Sequence, residues 1–152
     1  MFAKLDAEIN RSPSVDYWSD VGIDVCAAIL CDFNQEDWIK LGEEIPIKSA
    51  EWISRCADAL GSVPEKRSLD LLMEIATSDD SNVLVTALDC INSLFVMGMP
   101  IADHSQFLIE RINTARPLAS RIELIALASL EGNLTGETPV NFLESAKKAF
   151  EI

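Results

Sequence analysis

The chain has 152 residues, 49% of them hydrophobic, and its 25 acidic against 12 basic side chains give a formal charge of −13. That length suits one domain, residues 1–152, around a continuous core, and that sign opposes nucleic acids and acidic membranes, whose phosphates are met by clustered Lys and Arg. The charged N-terminus lacks the apolar block of a secretory leader, and the longest apolar run, Leu94 to Ala102, is nine residues broken by Gly98 and Pro100, so the expectation is a cytoplasmic protein without a membrane span.

Helix signals follow one another along the chain, and strand signals are almost absent. Phe2 to Ile9 reads as a short amphipathic helix. Ser12-Pro13 reads as a cap with proline at the first helical position, opening a helix to about Phe33. Its core stripe is expected to be Trp18, Val21, Val25, Ile29 and Phe33. Asn34, with Glu36 and Asp37 in the following turn, caps a helix through about Glu44, where Pro46 stops it. The next helix, about Lys48 to Leu60, ends at Gly61, a residue suited to the left-handed conformation beyond a helix end.

Pro64 opens a helix to about Thr77 with the apolar stripe Leu69, Leu72, Met73 and Ala76. After the turn Ser78-Asp79-Asp80-Ser81 comes Val83 to Val96, broken by Met97-Gly98-Met99-Pro100. Asp103 is read as the cap of a helix to about Asn113, and Arg116-Pro117 as the start of one to Leu130. Gly132 to Gly136 reads as a loop. Thr138-Pro139 then caps a last helix with Leu143, Ala146 and Phe150 inward. That makes about nine helices, and their short connections make successive helices antiparallel neighbours.

The apolar pattern repeats. Cys56 and Leu60 recur 34 residues later as Cys90 and Leu94, Ile53 and Ala57 as Ala87 and Ile91, and Leu94 recurs 36 residues on as Leu130. A period of this size with helical spacing indicates stacked helical hairpins, each burying its apolar face on the next. The fold class expected is therefore all-α, an α-α superhelix in which Cys56, Leu60, Cys90, Leu94 and Leu130 are buried. Asp79-Asp80-Ser81-Asn82-Val83 followed by Ala87, Ile91 and Leu94 resembles the HEAT repeat, with weaker copies at Trp52 to Leu60 and Leu118 to Leu130. Leu84 stands where that family usually has Arg. The resemblance implies a right-handed array that serves as a protein-binding scaffold. The size, acidity and repeat type are also similar to small HEAT-like proteins among toxin-immunity families, which neutralise a basic bacterial toxin by binding it. A general scaffold or adaptor is the alternative.

Residues 12–44 hold eight acids against the single Lys40. Asp16, Asp20 and Asp24, four apart, lie along one helix face, where like charges cost about 0.2–0.5 kcal/mol per neighbouring pair. The stripe suits either a solvated face or a docking surface for a basic protein, and the candidate contacts are Asp16, Tyr17, Asp20, Asp24, Asp32, Glu36 and Asp37. Tyr17 is the expected exposed aromatic. Trp18, Trp38 and Trp52 lie beside these acids, and their spacing fits the core as well as an interface.

No enzymatic chemistry is expected. The only histidine, His104, gives a Ser or Cys nucleophile no assembled base, and reads as a residue of a capping turn. Gly132-Asn133-Leu134-Thr135-Gly136 lacks the Lys-Ser/Thr ending of a phosphate loop. Without a Cys-x-x-Cys, a zinc site is not expected either. The four cysteines read as free, buried thiols, and no cofactor is expected.

Overall fold

In a computed structural model, residues 1–11 and 14–136 are described, and every regular element among them is helical. Helix α1 (Phe2–Arg11) is followed by α2 (Val15–Tyr17), a π turn (Trp18–Gly22) and α3 (Ile23–Cys31). Then come α4 (Gln35–Glu44), α5 (Ala50–Leu60), α6 (Lys66–Ile75), α7 (Ser81–Val96), α8 (Ser105–Ala115) and α9 (Arg121–Thr135). Short 3-10 turns precede α5, α8 and α9.

Local chemistry sets the starts. The Asn34 side chain accepts the Asp37 N–H at 2.9 Å while the Asp37 carboxylate accepts the Asn34 N–H at 3.1 Å, a reciprocal box that opens α4. Ser120 and Glu123 form a second such box at α9, and Asp80 caps α7 by accepting the Val83 N–H. Proline in the 3-10 turn Ile45–Ile47 closes α4, and Ser49 caps α5.

The helices α3, α5, α7 and α9 form a row, each packed on the next. Behind it, α6 packs on α5 and α7, α8 packs on α7 and α9, and α1 packs on α3, α4 and α5. Helices α6 and α7 touch and are joined by Ala76 to Asp80, so they run antiparallel. One buried cluster spans the layers, and Cys56, Leu60, Cys90, Leu94 and Leu130 all lie in it. The 34-residue register therefore marks the side chains that successive row helices bury. Arg111 on α8 donates to the Ala76 and Ser78 carbonyls, both at 2.8 Å, and so satisfies acceptors that the end of α6 leaves open. Arg55 on α5 donates to the Ile9 carbonyl of α1 at 2.9 Å in the same manner.

Several sequence expectations are corrected. The helix expected to reach Phe33 contains the π turn, with the Ile23 N–H bonded to the Trp18 carbonyl. The wider turn sets back the helical phase, so Trp18, Gly22, Cys26 and Leu30 face the core. Val21 is exposed, while Val25, Ile29 and Phe33 are half-buried. Gly61 is right-handed, at φ −64°; its reason is proximity, because a Cβ there would lie 2.8 Å from the Cys90 Cβ. Asp103 sits inside a 3-10 turn, and His104 at the start of α8 makes no side-chain cap. Helix α9 runs through the expected loop and stops at Gly136, whose φ of 73° is left-handed. Cys31 is exposed, unlike the other three cysteines. The expected cap at Ser12-Pro13 and the last helix from Thr138 lie outside the described residues.

Candidate protein-docking face

Each of the three tryptophans is placed by a core contact. The Trp18 indole donates to Asp58 Oδ2 at 2.9 Å and lies under the Arg55 guanidinium, 5.5 Å from the ring centre. Trp52 donates to Asp6 at 2.9 Å and packs near Phe2 and Lys48. Trp38 meets Phe33 edge to face at 5.2 Å. All three are buried.

Of the expected docking residues, Asp16, Asp20, Asp24, Asp32 and Glu36 are exposed. None of the five has an ion-pair partner among the described residues. The other two are less open. Tyr17 is half-buried, with its hydroxyl donated to Glu8 Oε1 at 2.8 Å, and that bond raises its pKa. Asp37 is committed to the Asn34 box and lies 3.5 Å from the N-terminal amine. The Asn34 N–H, followed by the amine, holds its carboxyl below the usual 3.8.

A second acidic group lies in the helix row. Asp58 of α5, Asp89 of α7 and Glu123 of α9 line one open groove of about 350 Å³, together with Asn82, Val85 and Ile122. Among the described residues no lysine or arginine lines it, although the charge of Arg55 acts on Asp58. Asp58 is half-buried and oriented by two donors, the Trp18 indole on one oxygen and the Cys90 thiol 3.9 Å from the other. Burial is the main reason its pKa is raised; the charge of Asp89 adds to this, while the Trp18 and Cys90 bonds and the charge of Arg55 oppose it. Asp89 is open to solvent on one side and shielded by the groove on the other, which raises its pKa as well. Ile122 stands at the rim, 80% exposed.

These groove residues escaped the sequence reading because they come from three separated helices. One signal was available: Asn82, Thr86 and Asp89, at spacings of four and three, form a polar stripe on a largely apolar helix.

Three of the four cysteines are buried. Burial pushes the Cys26 thiol up to about 12, and the Cys56 and Cys90 thiols well above their ordinary value of 9.0, so at neutral pH they are poor nucleophiles. Among the described residues no three His, Cys, Asp or Glu side chains converge as metal ligands would, and no helix is long and apolar enough to cross a membrane. The chain matches no protein-family model, no curated protein and no solved structure.

Proposed function

We propose that the protein is a protein-binding module of HEAT-like superhelical type, one domain over residues 1–152, and that its best role is that of a cytoplasmic immunity protein. It would neutralise a basic bacterial toxin by direct binding, without catalysis or a cofactor of its own. The observation that carries this reading is the set of exposed acids Asp16, Asp20, Asp24, Asp32 and Glu36, which lack internal cations among the described residues. Unneutralised charge of one sign speeds the encounter with a partner of the other sign and penalises wrong partners. Nucleic acid and acidic membrane are disfavoured by the same sign.

A general scaffold or adaptor is the second reading. In it the exposed acids serve solubility alone.

The test begins with co-purification of a basic protein from the native host and the identity of the neighbouring gene, since an adjacent toxin gene separates the two readings. Reversing both Asp20 and Asp24 to Lys should then slow association markedly at low salt, with less effect once ions screen charges beyond about 8–10 Å. Both side chains are exposed, so the fold should be retained. An unchanged association rate would reduce this stripe to a solvated face.

A further inference from the structure

We infer that Val15 to Gly22 forms a hinged strap, latched by Tyr17 on Glu8 and by Trp18 on Asp58, that opens as a local unit over Cys26. This goes beyond the docking reading and does not depend on it.

The strap consists of α2 and the π turn, and within it only Trp18 and Gly22 are buried. Its main packing is of α2 on the π turn and of the π turn on α3. Towards α1 and α5 it reaches with two aromatic side chains. The Tyr17 hydroxyl donates to Glu8 Oε1 of α1 at 2.8 Å, and the Trp18 indole donates to Asp58 Oδ2 of α5 at 2.9 Å, with the Arg55 guanidinium over the indole ring. Both latches end on carboxylates, so each is a strong, directional bond that is either made or broken.

The hinge lies at the far end of the strap. There the Ile23 N–H is bonded to the Trp18 carbonyl, and such a wide turn interrupts the regular ladder of the helix. Gly22 closes the turn with the indole laid against it, since a Cβ there would lie 2.5 Å from the ring. Beyond it α3 is anchored on its own account, by Cys26 and Leu30 in the core and by its packing on α5. The strap can therefore swing about Gly22 while α3 stays in place. Opening exposes one large apolar side chain, Trp18, where global unfolding exposes the whole core.

Cys26 lies beneath the strap. It continues the inward face of Trp18 and Gly22, is 0% exposed, and is close enough to Tyr17 and Glu8 for their charges to act on one another. Burial, followed by the charge of Glu8, pushes this thiol up to about 12. When the strap is open, water reaches the sulfur and the burial is relieved, so the thiol becomes reactive. Cys90 provides the contrast, because the close approach of α5 and α7 holds it against Gly61 whether or not the strap swings.

The test uses the full chain carrying Cys31→Ser, since Cys31 is exposed and would react first. Iodoacetamide is added under native conditions; each alkylation forms an S–C bond, with iodide leaving and the thiol proton going to solvent. Mass spectrometry of the digested chain then gives the rate at each cysteine. Cys26 should react about tenfold faster than Cys90, and in low urea its rate should hardly change while that of Cys90 climbs with global unfolding. Tyr17→Phe should speed Cys26 by about fivefold, the effect of losing one hydrogen bond. Trp18→Phe should speed it further; if that variant loses its native spectrum, Tyr17→Phe carries the test. Asn34→Ala weakens the cap of α4 and neither latch, so it should speed Cys90 and leave Cys26 as it was. Equal rates at Cys26 and Cys90 that climb together in urea would overturn the strap, and so would an Asn34→Ala variant that speeds both.

Discussion

A Cβ built on Gly61 would lie 2.8 Å from the Cys90 Cβ and 3.0 Å from its Sγ, so α5 and α7 approach each other over a position that only hydrogen fits. Gly42 in α4 offers the contrast, since the nearest atom to a Cβ there is a Leu71 methyl at 3.7 Å, an ordinary contact. The two glycines should therefore respond to the same substitution with opposite signs. Gly61→Ala should destabilise by about 1–3 kcal/mol through overpacking, and Gly42→Ala should stabilise by about 0.5–1 kcal/mol because a mid-helix glycine carries excess chain entropy. Denaturant titration of both variants checks the pair, and equal effects would mean that the close α5–α7 approach is wrong. The sequence could not separate these roles. A glycine after a helix reads as a left-handed terminator, and only the neighbouring helix reveals that Gly61 is there for space.

At the scale of elements, helix starts with local chemistry were legible and phase was not. Asn34, Glu36 and Asp37 announce α4 within four residues, and the structure places the box there. The π turn had no such signature. Trp18 lies over Gly22, where a Cβ would come within 2.5 Å of the indole, and the wide turn carries the chain past this contact. The stripe counted as Trp18, Val21, Val25 was thus one position off beyond the turn. Helix α9 was shortened for a similar reason, since Gly132 reads as a breaker but is buried within the helix. The capping box makes a quantitative statement about α4. Asn34→Ala removes the acceptor for the Asp37 N–H and should cost about 0.5–2 kcal/mol in thermal or denaturant unfolding. Asn34→Asp, which keeps an acceptor, should recover most of that loss; equal losses in the two variants would show that α4 does not depend on this cap.

Over the whole molecule, the acidic stripe could be read from charge spacing along one segment, while the groove could not, because its acids are brought together only when α5, α7 and α9 line up. The consequences of that assembly appear in the pH dependence of stability. Asp58 and Asp89 have folded-state pKa values raised above the ordinary 3.8, chiefly by burial. Between 3.8 and those raised values the folded chain binds more protons than the unfolded one, so stability rises as the pH falls through that window. Asp37 acts in the opposite sense. Its folded pKa lies below 3.8, so its contribution is present above 3.8 and lost as the pH drops through the folded value. The net charge of −13 adds self-repulsion that acid relieves, so maximum stability should lie on the mildly acidic side of neutrality. Asp58→Asn isolates the groove's share, because the amide oxygen can still accept the Trp18 indole N–H while the charge is gone. Unfolding midpoints followed from pH 7 to pH 3 should rise less steeply on acidification in the variant than in the parent above 3.8, and converge on the same acid loss below it. Parallel curves throughout would mean that Asp58 is as well solvated in the folded chain as in the unfolded one.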